Sequence, residues 1–401
     1  MTIVHLLPHF NSDGNGVVYV ATDLACAQSA AGESVTCIGG KNGSLTELLQ
    51  GRGVATHIVP EFASGVSFNL RALPRLWRLL KTLRPQVVHA HTIPIALTAK
   101  LLQAFLGFRL VTTVHNGPRL RNLLLAVGDR CICVSGAVAD SMKRLAVSDR
   151  KIRIVRNGPL GSPRRSLAIP APFKIALRKP AILAIAGLHR YKGIEDLIEA
   201  FAIAKKSVPD LSMYILGEGP ARAQLEMRAA SLGCSDRIHF KGFVDDPRPY
   251  LTQSDVFVLP SHREAFGLAL AEAREAGCAV IGTNVGGIAE VLEGGRAGIL
   301  VPPKNPDQLS RILVQLFADQ AILAAWQKRA STNLSWLHLG RVAQETMEIY
   351  RELLISVDQP NHATARTNLT RAAGRLTTIS DAKVGSAGGR SLRKSAMRGP
   401  Y

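Results

Sequence analysis

The chain has 401 residues, 47% of them hydrophobic, so it can bury a sizeable core, and its length suits two domains better than one. Its longest apolar runs fall well short of the roughly 20 residues that cross a bilayer. Six cysteines stand scattered with no CxxC pair, which argues against a zinc site or a disulfide framework and leaves them as small core residues.

The net charge of +19 is unevenly spread. Residues 1–165 hold 20 Lys+Arg against 8 Asp+Glu, residues 166–357 hold 21 against 20, and residues 358–401 hold 8 against 2. A basic first half beside a neutral second half points to different partners, with an anionic surface or acceptor facing the first half. Nucleic acid is excluded as that partner, since aromatics are 5% of the chain and no recognised nucleic-acid module occurs.

In chain order, MTIVHLLPHF lacks a basic leader and a small-residue cleavage site, so it reads as a first strand of a cytoplasmic protein. The β-rich runs VTCIG, QVVHAH, RLVTTVH and RCICVS follow, separated by longer helical stretches, which is the pattern of a parallel sheet wound with helices. Between them, residues 69–85 have helical period, with Leu73, Leu76, Trp77, Leu80 and Leu83 interleaved with five basic residues. That segment reads as a core-packed helix with a charged outer face, or as a basic face resting on an anionic membrane. His89 and His91 lie at a strand end, either lining an acceptor side or packing there.

The stretch at 159–172, rich in Pro, Ser and Arg, reads as a linker, and the alternation then restarts with AILAIAG, LSMYILG, RIHFKG, VFVLP and CAVIGT. GEGPAR at 217–222 begins like a dinucleotide fingerprint but lacks its third glycine, which speaks against a nicotinamide enzyme. DVFVLPS reads as a buried strand, and FGLALAEAREAG as the helix after it, stopped by Gly277. Backbone N–H groups at Phe266, Gly267 and Leu268 would form a phosphate cradle at the helix entrance. A carboxylate there, Glu264, would repel a diphosphate and so suits hydroxyls of whatever the diphosphate carries, with Glu272 two turns on reaching a second polyhydroxyl such as a ribose. The bland alternative is an N-terminal charge plus a solvated helix carboxylate. Trp336, Leu339, Val342, Met347, Tyr350 and Leu354 recur at helical spacing, and from about Asp358 the chain is polar, basic and too poor in large apolar residues to fold alone.

The expected architecture is α/β: two Rossmann-like doubly wound domains facing across a cleft, at 1–165 and 166–335, a helix at 336–357 packing back on the body, and a disordered basic tail at 358–401. Open parallel sheets bind ligands at the carboxyl edge of their strands.

Five segments in order, KIRIVRNGPL, ILAIAGLHRYKGIEDLIEAF, LSMYILGEGPARAQLE, RIHFKGFVDDPRPYLTQSDVFVLPS and PSHREAFGLALAEAREAGCAVIGTNVGGIAEVL, resemble the retaining glycosyltransferases of family 4, which have the GT-B fold. The resemblance covers nearly all of residues 1 to 350. It implies that Glu264 contacts donor-sugar hydroxyls near the reacting carbon, that Glu272 holds the ribose, and that Lys192 neutralises the diphosphate, where charge grows as the glycosidic bond breaks. Family members carry an arginine directly after the strand-ending glycine; here Leu188 follows Gly187, and Arg190 is taken as the replacement. Gly14-Asn15-Gly16 stands where a Gly-Gly pair is usual and would let backbone amides approach the diphosphate, while His115 matches a histidine facing the transferred sugar.

The implied function is transfer of a sugar, with retention, from a nucleotide-diphosphate sugar to a saccharide or lipid-linked acceptor in polysaccharide or glycolipid biosynthesis. No DxD carboxylate pair occurs, so lysine, arginine and amides are expected to replace a metal ion, and no cofactor is expected. Residues 69–85 would seat the enzyme peripherally at the inner face of the plasma membrane. The alternatives are a non-catalytic nucleotide-sugar-binding protein of the same fold, supported by the missing arginine after Gly187, and another GT-B enzyme such as a nucleotide-sugar epimerase.

Overall fold

The β-rich runs of the first half become β1 (Thr2–Leu6), β2 (Ser34–Gly39), β3 (Ala55–Ile58), β4 (Val87–Ala90), β5 (Arg109–Val114), β6 (Arg130–Cys133) and β7 (Ile152–Ile154) in a computed structural model that describes residues 1–62, 70–117, 119–165 and 175–358. They pair in parallel in the order β3-β2-β1-β4-β5-β6-β7. The central strands are Val/Ile/Leu-rich and buried on both faces, as helices on either side demand. The second half repeats the scheme with β8 (Ala181–Ile185), β9 (Ser212–Leu216), β10 (Ile238–Gly242), β11 (Val256–Leu259), β12 (Ala279–Thr283) and β13 (Ile299–Val301), ordered β10-β9-β8-β11-β12-β13. Strand order reverses between β1 and β4 and between β8 and β11, and ligands bind at such points.

Three strands escaped the sequence pattern, β3, β7 and β13. All lie at sheet edges, are three or four residues long and are only partly buried, so they carry little apolar signal. The six cysteines are all free and buried, as small core residues should be.

The segment at 69–85 forms a 3-10 turn, Leu70–Ala72, and then the helix Leu73–Leu83; Asn69 lies outside the described residues. Leu76 and Leu80 are buried in the core and Leu73, Trp77, Leu79 and Leu83 pack partly against it, so its apolar face is turned inward and Arg75, Arg78 and Lys81 outward. The stretch after Pro159 is tied down at its start. Leu160 bridges to His338, and Arg164 forms two 2.9 Å hydrogen bonds to Asp23 and lies 4.1 Å over the Tyr19 ring. Residues 166–174 lie outside the described part.

The terminal helix begins later than its spacing suggested. Ser335–Leu337 is a separate 3-10 turn, and the helix is Leu339–Asp358. Trp336 therefore packs on Phe266 of the second half, while Val342, Met347, Tyr350 and Leu353 cover the first sheet beside Ile3, Val87 and Val111. The last helix among the described residues thus completes the core of the first half. The expected disordered tail after Asp358 lies outside the described residues.

Candidate active site

The reversal points of both sheets open onto one cleft of about 530 Å³, a size that suits a drug-sized or nucleotide-sized ligand. On the second-half side, β11 runs into Ser261, which is fully buried, and the chain then turns at Glu264 before the helix Leu268–Glu275. Glu264 Oε1 accepts from the Ala265 N–H (3.1 Å), and its Oε2 lies 2.6 Å from Lys192 Nζ. Lys192 arrives from β8 on a 3-10 turn, Arg190–Lys192, whose Tyr191 carbonyl accepts from the His262 N–H at 2.8 Å. Two strand-end loops are thus locked together, and a lysine ammonium meets a glutamate at the cleft wall.

Glycines make that packing possible. A Cβ at Gly286 would lie 1.8 Å from the Glu264 carbonyl oxygen, and one at Gly287 2.4 Å from the Ala265 oxygen, so the NVGG stretch exists to let the Glu264 loop approach. Across the cleft, a Cβ at Gly14 (φ +78°) would come 3.3 Å from the Phe243 ring, and one at Gly16, the first residue of the helix Gly16–Ala30, 3.3 Å from Leu268. The two halves approach closely there.

The structure separates the residues named from sequence. Gly14, Gly16, His115, Lys192, Glu264, Phe266, Gly267, Leu268 and Glu272 all line the cleft. Gly267 has φ +100° and caps the helix with its backbone, and Phe266 is buried, so only its main chain is available to a ligand. Glu272 is held at 3.0 Å by Arg165, which also binds Glu275. Arg190 is the correction. Its guanidinium turns out to Gln224 (3.2 Å), the side chain is exposed and it does not line the cleft, because the turn that aims Lys192 inward points its neighbour outward. The guanidinium groups that do reach Glu264's surroundings are Arg263 and Arg119, which share a small cavity with His115, Lys192 and Glu264. Sequence reasoning missed both, since an arginine beside a motif carries no periodic signal. On the far side of Glu264 a further cavity of about 310 Å³ is walled by Arg144, Asp140 and Arg263.

His115 follows β5 and faces the cleft with one edge. Burial depresses its pKa to about 3, so the ring is neutral at physiological pH. It therefore supplies no positive charge for a diphosphate; Lys192 and the arginines are left to do so.

Two doubly wound sheets with a nucleotide-sized cleft at their facing reversal points, and paired acid and cation on the second, define a two-domain transferase architecture. Residues 14–158 match the family model Glycosyltransferase Family 4 and residues 167–333 the model Glycosyl transferases group 1. The chain belongs to the GT-B glycosyltransferases of the family 4 type. It is 28% identical over 286 residues to N-acetyl-alpha-D-glucosaminyl L-malate synthase of Bacillus anthracis, covering 67% of this chain and 75% of that one. It is 28% identical over 229 residues to the lipopolysaccharide core biosynthesis glycosyltransferase LpsE of Rhizobium meliloti, covering 57% and 64%. Anabaena HepE, solved in complex with UDP and glucose, superposes with a TM-score of 0.73 at 17% identity over 88% of this chain and all of that one. The fold is therefore GT-B, and the protein is a glycosyltransferase of the kind that builds saccharides.

Proposed function

We propose that this glycosyltransferase works with retention of anomeric configuration and without a catalytic metal, taking its sugar from a nucleoside diphosphate bound in the 530 Å³ cleft. The observation that carries this reading is the Lys192–Glu264 pair at 2.6 Å. On donor binding the ammonium would pass to the diphosphate, and Glu264 would be released to accept from sugar hydroxyls at the reacting carbon. Placing a fixed cation where charge develops is worth most in the transition state. The backbone amides at Gly14–Gly16 and at the start of the helix Leu268–Glu275 would complete the phosphate cradle, and Glu272 would hold the ribose. The acceptor saccharide would enter from the 310 Å³ cavity beyond Glu264.

UDP-glucose is the first donor to test, because HepE was solved with UDP and glucose. Incubation of the protein with UDP-glucose and a panel of other nucleotide sugars, with and without membrane extract and with and without chelator, should release nucleoside diphosphate. The product's anomeric configuration, read by NMR, should match the donor's. An inverted product, or activity abolished by chelator, overturns the respective part of the proposal.

The same proposal places the enzyme at the cytoplasmic face of the plasma membrane, held through its first domain. No single helix among the described residues is long and apolar enough to cross a membrane. Instead, Leu101 and Phe105 of the helix Ile93–Leu106 and Leu120, Leu123 and Leu124 of the adjoining 3-10 segment Leu120–Val127 are exposed, Phe105 and Leu120 by 75% each. The Trp77 ring meets Phe105 edge-on at 5.9 Å, and Arg78, Lys81, Lys100 and Arg121 are exposed on the same three elements. Apolar side chains ringed by basic ones suit an anionic lipid surface. The basic helix at 73–83 would contribute charge to this contact and its neighbours the apolar part.

A further inference from the structure

Behind His115 the first sheet holds a file of histidines that the proposed chemistry does not use. β1 and β4 pair with His5 opposite His89, and His91 lies two residues beyond His89, so strand alternation sets these rings on one face of the sheet. His115, two residues beyond Thr113 at the end of β5, joins them on that face. His5, His89 and His91 are buried.

The hydrogen bonds run in two lines. His89 is held apart, with Nδ1 2.6 Å from the Tyr350 hydroxyl and Nε2 2.6 Å from Thr113 Oγ1. The other line is continuous: Gln28 Oε1 to His5 Nε2 at 2.7 Å, His5 Nδ1 to His91 Nε2 at 3.0 Å, and His91 Nδ1 to His115 Nε2 at 3.0 Å. His5, His89 and His91 are close enough together to suggest a metal site. Every ring nitrogen of the three already has a hydrogen-bonding partner, however, so no lone pair is left waiting for an ion.

A neutral imidazole has one N–H and one bare nitrogen. Rings joined nitrogen to nitrogen must therefore all point the same way, and the end group sets the direction. Gln28 turns its Oε1 to His5, while its Nε2 is buried without a hydrogen-bond partner; with that orientation the end group only accepts, so His5 carries its proton on Nε2 and presents a bare Nδ1. His91 then donates from Nε2, and His115 does the same. The last ring is left with a bare Nδ1, which has no protein partner among the described residues and is not sealed in the interior of a residue that lines the cleft.

We infer that the file Gln28–His5–His91–His115 fixes the tautomer of His115, so that its Nδ1 stands at the cleft as an obligate acceptor and takes a ligand hydroxyl that donates to it. Gln28, His5 and His91 are positioning residues in this arrangement, acting through His115. Burial holds all three rings neutral, with His5 pushed down to about 4 and His91 well below its usual range, further depressed by the neighbouring histidines. Among the described residues no carboxylate bonds to a ring of the file; the groups facing it are Gln28, His89, Thr113 and Tyr350, the last with its phenol pushed up by burial and opposed by the Gln28 amide, and at its open end Glu264, paired with Lys192, shares a cavity with His115, Arg119 and Arg263. A specificity follows for the sugar reading, on which this part of the inference rests. The hydroxyl meeting His115 must be a donor, so a fluorine in its place, which accepts but does not donate, should fail there as badly as hydrogen.

The tautomer can be read without any donor. In the full-length chain labelled with 15N-histidine, long-range proton–nitrogen correlation spectra should show His5, His91 and His115 each protonated on Nε2 and bare on Nδ1. That pattern should persist between about pH 6 and 8, where a free histidine changes charge. A proton on His115 Nδ1, or a His115 that titrates in that window, overturns the inference. Gln28→Met removes the terminal acceptor and His91→Phe breaks the line; each should turn the single tautomer of His115 into a mixture, and an unchanged His115 in a folded variant removes the role given to the replaced residue. Should either variant fail to fold, the spectrum of the unaltered chain still decides. Because the spectra need no nucleotide sugar, failure of UDP-glucose to bind would count against the proposed donor and leave the file standing.

Discussion

Glu264 and Lys192 each lose something different when removed. Glu264→Gln keeps size and polarity but no longer balances the ammonium or accepts equally at both oxygens, so turnover should fall much further than donor affinity. Steady-state kinetics with donor varied will separate the two, and near-normal turnover would remove Glu264 from the chemistry. Lys192→Ala should cost roughly 3 kcal/mol in transition-state stabilisation, about a hundredfold in rate, by analogy with loss of one preorganised donor. Arg190→Ala should leave the rate near normal, since its guanidinium faces Gln224 rather than the cleft. That comparison also addresses the non-catalytic alternative: the motif's absent arginine would be shown dispensable if Arg190→Ala turns over while Lys192→Ala does not.

At the scale of elements, the site depends on how closely loops and helices pack behind it. Gly286 is in the left-handed region (φ +52°) and its missing Cβ is the space occupied by the Glu264 carbonyl. Gly286→Ala should therefore yield a folded protein, by circular dichroism, with activity reduced at least as far as in Glu264→Gln. The helix Leu268–Glu275 is anchored from beneath by Arg274, which is fully buried and donates to the carbonyls of Val291 (2.6 Å), Thr332 (2.7 Å) and Ala330 (3.0 Å) and to Glu293 (2.9 Å). Arg274→Ala strands those acceptors and should cost about 3–5 kcal/mol, seen as a large fall in the urea midpoint. Glu290 ties the halves together, accepting from the N–H groups of Gly136 and Ala137 (3.0 Å each) at the start of the helix Gly136–Arg144 and pairing with Arg156 at 2.6 Å. A carboxylate placed at a helix N-terminus of the opposite half is favoured by the helix dipole as well as by the bonds.

At the scale of the whole molecule, four buried histidines of the first domain carry an acid sensitivity, to which the half-buried His239 of the second adds in the same direction. His5, His89, His91 and His115 all have folded-state pKa values below 6.5, so between pH 6.5 and about 4 the unfolded chain takes up protons that the folded one does not. Stability then rises with pH across that window and is lost on acidification, with a slope of about 1.4 kcal/mol per pH unit for each histidine still neutral in the fold. Urea midpoints at pH 7.5 and pH 5 should differ markedly in the wild type and less in His91→Phe, and equal midpoints would contradict the burial argument. The proposed membrane attachment is also tested on the whole molecule. A chain ending at Asp358, free of the excess of seven positive charges on residues 359–401, should pellet with anionic vesicles at low salt and not with neutral ones. Phe105→Ser with Leu120→Ser should weaken that pelleting; equal pelleting with both lipids, or none with either, removes the membrane from the proposal.

Sequence alone determined the repeated strand–helix alternation, hence two parallel sheets and a cleft at their facing edges, because those signals are local and periodic. It also placed Glu264 and Glu272 in one motif, Lys192 in a second and Gly14 and Gly16 in a third, since each motif is a short run whose loop conformation follows from its own glycines and strand ends. Only the tertiary structure decided where side chains point. One residue of a 3-10 turn separates Lys192, aimed into the cleft, from Arg190, aimed out of it, and no spacing in the sequence encodes that rotation. The leucines of 73–83 and those of 101–124 look alike in the chain, yet the first are mostly packed inward and several of the second are exposed, because burial is fixed by what the sheet leaves room for. The histidine file is the clearest case. Its members come from β1, β4 and the end of β5, and they become neighbours only when parallel pairing brings distant strands into register.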